Sequence, residues 1–222
     1  MPKLKPEEIA LRRREIVDAA RTCFVRSGFH RTTTDEICRE ANITPGGLYH
    51  YFANKEEIIK AVIRDQTENA LTVMHNTAAE SPDPRAALRS VGLFFLQAML
   101  EPGFDNVARL DIETWSEGLR RPDLLKIIQE GREATLDAVT EVIQEAVRRG
   151  NYSAKVDPEA LANLFSAIYA GLRISKLLVP HRVDAPAVLD ALRMMIRGEI
   201  LGSASSLADE QPSAAEIVRP SR

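Results

Sequence analysis

Cysteine is nearly absent from this chain. Two in 222 residues, Cys23 and Cys38, cannot build a disulfide scaffold, and so few point to a reducing compartment. Long apolar runs are also missing. The longest uncharged stretch of interest, 161–172, has twelve residues, where a membrane span needs about 20. Residues 1–6 offer no apolar segment that could serve as a secretion signal, so the expected location is the cytoplasm, with no membrane partner. Aromatic residues make up 5% and Trp115 is the single tryptophan. Charge of one sign is lacking too: 29 Lys and Arg face 32 Asp and Glu, for a net charge of -3. Taken whole, that balance argues against nucleic acid as a partner. Taken by region it does not. Residues 1–52 carry nine basic and seven acidic groups, a net +2, which leaves -5 on the remainder.

Catalysis finds little support. His30, His50, His75 and His181 are scattered without metal-ligand spacing, so neither a metal site nor a cofactor is expected. The acidic pairs Glu7-Glu8 and Glu56-Glu57 stand at helix starts. No glycine loop follows a strand pattern. The chain reads as a non-enzyme.

What is present is helix after helix, and the expected fold is all-α. Pro6-Glu7-Glu8 opens a first helix, Ile16, Ala20, Cys23 and Phe24 recur at helical spacing, and Arg26-Ser27-Gly28 closes it. A short second helix starts at Thr33, with Glu36 placed for a capping box. Asn42 follows in a position that tolerates a left-handed turn. Thr44 caps a third helix with Pro45 at its first position, and Asn54 caps a fourth. After the break at Ser81-Pro82-Asp83-Pro84, helices are expected near 86–100, 105–119, 122–149, 158–178 and 186–201. In the long one, Leu125, Ile128, Leu136, Val139, Ile143 and Ala146 form the apolar stripe. Residues 203–222 are polar, without periodicity, and read as a disordered tail. The division that follows is a head over 1–55, a longer helical body over 56–202, and the tail.

Helices two and three carry the functional signal. Joined by Ala41-Asn42-Ile43, they have the form of a helix-turn-helix, whose second helix enters the DNA major groove. Gly46 and Gly47 are poor helix formers, each about 1 kcal/mol worse than Ala, and become sensible where a backbone must approach a phosphate or base edge. Thr44 caps a helix whose amides can hold an anion. Tyr49 and His50 present polar tips, and Lys55 can pair with phosphate.

Gly28-Phe29, Thr32-Thr33, Ile37, Ala41, Ile43-Thr44, Gly47-Leu48-Tyr49, Tyr51-Phe52 and Lys55-Glu56 resemble the N-terminal signature of TetR-family regulators. The match spans roughly residues 9–60, with Asn42 where the family more often has Gly and Cys38 where it more often has Ala. The resemblance implies a three-helix DNA-binding head, a linking fourth helix and a helical ligand-binding and dimerisation body, assembled as a homodimer through the last two long helices. It implies a ligand-responsive transcriptional regulator, a repressor released from a palindromic double-stranded DNA operator by a small-molecule effector. The family's contacts fall on Thr33 and Lys55 for phosphates, and on Thr44, Pro45, Gly46, Gly47, Tyr49 and His50 of the recognition helix. Tyr49 would pin the backbone and His50 read a base edge. Leu48 and Phe52 read as core, and Tyr51 as half-buried packing. Lys3 and Lys5 fit either a minor-groove arm or a solvated start.

In the body, Phe94, Phe95, Met99, Leu110, Trp115, Phe165 and Tyr169 suit an apolar ligand, and equally suit plain core packing. Arg173 could meet an acidic group of a ligand or a carboxylate across the dimer. A helical ligand-binding or adaptor protein that does not read DNA is the alternative. It would have no need of Gly46-Gly47, Lys55 and a capped recognition helix together.

Overall fold

The computed structural model describes residues 5–84, 86, 87, 89, 92 and 97–197. Two compact units separate between Val183 and Asp184. The first contains α1 (Pro6–Arg31), α2 (Thr34–Glu40), α3 (Pro45–Tyr51), α4 (Lys55–Ala79), α5 (Phe104–Arg120), α6 (Pro122–Arg148), α7 (Pro158–Leu178) and a 3-10 turn, Pro180–Arg182. The second contains α8 (Ala185–Arg197), whose first turn is held by Asp184 Oδ1, accepting from the Ala187 N–H at 3.2 Å. Residues 84, 86, 87, 89, 92, 97 and 98 are helical as well, and no strand occurs among the described residues. The expected tail, 203–222, and the end of the expected last helix lie outside them.

Local chemistry sets the starts of the short helices. Thr33 and Glu36 form the reciprocal capping box: Thr33 N–H donates to Glu36 Oε2 at 2.7 Å, and Glu36 N–H donates to Thr33 Oγ1 at 3.2 Å. Thr44 Oγ1 accepts from Gly47 N–H at 3.2 Å, and Asn54 Oδ1 from Glu57 N–H at 2.9 Å. Asn42 takes φ 50°, the only non-glycine with positive φ among the described residues. At α7, Asp157 Oδ1 accepts from two amides, Glu159 and Ala160.

The first helix ends differently from the expected left-handed stop. Gly28 has φ 76° and ψ 170°, outside the left-handed helical region and in territory that only glycine occupies comfortably. One further turn then runs to Arg31. The buried Thr32 hydroxyl closes the junction, donating to Gly28 O at 2.8 Å and lying 3.2 Å from Cys23 O.

The main core joins head to body. Ile16, Ala20, Phe24, Phe29, Ile37, Leu48, Phe52, Ile58 and Val62 share one cluster with Leu110 of α5 and Leu124 and Ile127 of α6. That corrects the expected stripe of α6. Leu124 and Ile127 are the buried residues of its first turns, and Leu125 and Ile128 are half-buried, because α6 starts between the head and α5 and is covered from two directions. Farther along, Ala138, Ile143 and Ala146 are buried. Cys23 and Cys38 sit in the same core, where burial pushes both thiols above their ordinary pKa.

Candidate nucleic-acid interface

The recognition helix α3 has one buried side and one open side. Leu48 is fully buried and Phe52, just past the helix end, is 2% exposed; together they anchor the segment in the head core. Tyr51 is half-buried against that core. On the outer side Thr44, Pro45, Gly46, Tyr49 and His50 are all exposed, Tyr49 at 53%. Thr33, at the start of α2, is exposed too, and Lys55, at the start of α4, is half-buried. The His50 ring meets the Tyr51 ring edge to face at 5.2 Å, which joins the outer side of the helix to its packed side. All eight residues expected to touch DNA thus belong to three consecutive helix starts and the exposed surface of α3.

The two glycines have different reasons. A Cβ on Gly47 would stand 3.3 Å from Thr44 Oγ1, crowding the cap that starts the helix. A Cβ on Gly46 would meet nothing within 4 Å. Nothing inside the folded chain asks for glycine at 46.

Two arginines of α1 reach α3 from outside the core. Arg12 donates to the carbonyl of Asn42 at 3.1 Å, in the turn that enters the helix. Arg13 donates to the carbonyl of Tyr51 at 2.8 Å, at the helix exit, with its guanidinium 4.1 Å from the centre of the Phe52 ring. Sequence reading counted these residues only as charge. Their partners lie 30 and 38 residues away, and no local pattern announces such pairs.

The family description "Bacterial regulatory proteins, tetR family" matches residues 16–62, and "BetI-type transcriptional repressor, C-terminal" matches residues 84–201. The chain belongs to the TetR family. It is 30% identical over 190 residues to the HTH-type transcriptional regulator TtgR of Pseudomonas putida, covering 83% of this chain and 89% of TtgR. It is 25% identical over 193 residues to the HTH-type transcriptional regulator UidR of Escherichia coli, covering 86% and 94%. Among solved structures, GusR of Salmonella enterica superposes with a TM-score of 0.68 at 27% identity, over 85% of this chain and 95% of GusR. This TetR chain is therefore a DNA-binding transcriptional regulator and not an enzyme. TetR regulators as a class bind DNA operators and small-molecule effectors, and act as dimers.

Phe94 and Phe95 lie outside the described residues. Met99 is buried, and Trp115, Phe165 and Tyr169 are half-buried. Leu110 belongs to the core shared with the head. Arg173 forms an ion pair with Asp111 of its own chain, between α7 and α5, and its guanidinium lies 5.4 Å from the centre of the Tyr169 ring. Burial lowers the pKa of Arg173 and raises that of Tyr169 to about 12. The structure therefore brings together Tyr169 and Arg173 of the expected ligand residues, and adds Asp111. None of the described helices is long and apolar enough to cross a membrane.

The same helix α5 that carries Asp111 also holds the end of α1. Glu113 Oε1 accepts from Phe29 N–H at 2.7 Å, and Glu117 Oε1 lies 3.0 Å from His30 Nε2. The His30 contact keeps the Glu117 carboxyl below its usual range. Lys60 of α4 meets Asp123 of α6 at 3.1 Å, and hydrogen bonds from Arg121 and Lys60 hold the Asp123 carboxyl low.

Proposed function

We propose that this TetR regulator is a cytoplasmic repressor that binds a palindromic operator as a homodimer and is released by a small molecule bound in its body. The observation that carries the DNA-contact assignment is Gly46. It is an exposed glycine near the start of a capped helix, and no neighbour in the chain requires the missing side chain. Room at that point serves a surface that arrives from outside. Thr44, Pro45, Gly46, Gly47, Tyr49 and His50 are the groove-facing set, and Thr33 and Lys55 the phosphate contacts. Tyr49 holds the backbone, and His50 reads a base edge.

The dimer forms through the last two long helices, α7 and α8. In support, α7 exposes Leu164, Ala167, Gly171, Ile174 and Leu178, an apolar stripe at helical spacing with small residues that permit close approach. A twofold pair spaces the recognition helices for successive major grooves, about 34 Å apart. The effector site uses Phe94, Met99, Trp115, Phe165, Tyr169 and Arg173, with Leu110 at its head-side border. Arg173 is the charge that an acidic effector would engage, in exchange for Asp111. The head spans 1–55, the body 56–202 and the tail 203–222.

Gel shift of the full chain on fragments it retains from a genomic pool tests the DNA assignment. Gly46→Glu and Tyr49→Ala are expected to abolish retardation while the circular dichroism spectrum stays unchanged. Unaltered binding by both variants would refute the contact surface.

A further inference from the structure

A helix of seven residues does not stand alone in water. The orientation of α3 must come from its surroundings. Its apolar anchors, Leu48 within the helix and Phe52 just past it, hold the packed side, and apolar contact leaves the polar backbone groups at the two ends to be held by other partners. The two arginine bridges lie on either side of Leu48. Arg12 holds the carbonyl of Asn42, before the helix, and Arg13 holds the carbonyl of Tyr51, its last residue. Adjacent residues of one rigid helix, α1, therefore grip both ends of another.

Chemistry favours the arrangement at each end. The final carbonyls of a helix have no partner within it, and a cation there also complements the helix dipole. The planar Arg13 guanidinium donates to such a carbonyl and stacks on buried Phe52, a combination that a lysine ammonium cannot reproduce. At the other end Asn42 holds the left-handed turn that aims α3 away from α2, and Arg12 fixes the carbonyl of that turn.

We infer that Arg12 and Arg13 are positioning residues for operator recognition: they clamp the recognition helix at both ends and set the angle at which Tyr49 and His50 meet the bases. The inference rests on α3 being the element that reads DNA. Each arginine donates to a backbone carbonyl of its own chain, and Arg12 is further held by the carboxylate of Glu15 on α1, so the effect on DNA assigned to them passes through α3.

The test uses the full-length chain, the duplex it enriches from a random library, and a scrambled duplex of equal length. Arg13→Gln and Arg13→Lys should each weaken the enriched duplex about tenfold or more, the scale of one good base contact. Binding to the scrambled duplex, and the slope of affinity against salt, should stay nearly unchanged. Arg12→Gln should act in the same direction. Equal losses on both duplexes, with the salt slope reduced by about 1 per arginine and recovery by lysine, would mark direct phosphate contacts and overturn the inference. Unchanged binding would overturn it as well. A second measurement needs no DNA. Amide hydrogen exchange of the free Arg12→Gln/Arg13→Gln protein should accelerate at residues 48–52 while α2 and α4 keep wild-type rates. Wild-type rates throughout would reject the clamp even if operator binding fell. A wild-type chain that enriches no duplex would instead tell against α3 as the reader, and the exchange experiment would still decide the clamp.

Discussion

The head and the body of this regulator are held together by different kinds of interaction. In the head, short helices begin on side chains three residues from their partners: Thr33 with Glu36, Thr44 with Gly47, Asn54 with Glu57. In the body, α5 and α6 begin with no side-chain cap at all, and their polar groups find partners far along the chain. Glu113 reaches Phe29 across 84 residues, and Asp111 meets Arg173 on α7. The starts of α2, α3 and α4 are fixed locally, while α5 is braced by contacts that depend on how the helices lie against one another.

The sharpest way to break that contrast is the core that both parts share. Phe24→Ala should cost about 3–5 kcal/mol, and urea unfolding followed by circular dichroism should still show a single transition for the first unit. Two separate transitions would mean that the head folds independently of α5 and α6. Next in size, Asp111→Ala leaves the Arg173 charge buried without its partner and should cost about 3 kcal/mol. Asp111→Leu combined with Arg173→Met should recover most of that loss in the same melting experiment; failure to recover would show that the pair does more than neutralise charge. A local device carries less. Thr33→Ala should cost about 1 kcal/mol, with faster amide exchange confined to the first turn of α2.

Acid separates the two modes further. The carboxyls of Glu36, Glu117 and Asp123 are held below their usual range by donors from Thr33, from His30, and from Arg121 and Lys60. A carboxyl with a lowered pKa in the folded state stabilises above the ordinary carboxylate range and loses that contribution as pH falls through its folded value. Urea midpoints should be flat from pH 7 to 5 and decline below about 4.5. Glu117→Gln should remove part of the decline by loosening the head from α5, and Glu36→Gln should do so within α2 alone.

The same contrast explains what could be read from the residues in order. The caps of α2, α3 and α4, the turn at Asn42 and the outward set of α3 were legible because each signal and its effect lie within a few residues. The end of α1 was legible as a glycine stop, but its ψ of 170° was not, because it depends on Thr32 folding back and on Glu113 arriving from α5. The packing of Leu110 against the head core was not legible, because periodicity reports which face is apolar and not what covers it. The stripe on α6 was one residue out of phase at its start for the same reason. Arg173 read as open to a ligand or to a partner subunit, and its carboxylate turned out to be on α5. The grip of Arg12 and Arg13 on α3 needed three-dimensional proximity that no spacing rule encodes.

Gly46 has a consequence for selection. With open space where its side chain would be, Gly46→Ala should fold without strain and stabilise the free protein by up to about 1 kcal/mol. A screen that rewards only thermal resistance should therefore replace this glycine early, and the winners should have lost affinity for DNA. On the proposed contact surface, robustness and DNA binding are in conflict at this position, and the wild-type residue is the choice a regulator makes and a mere helical protein would not.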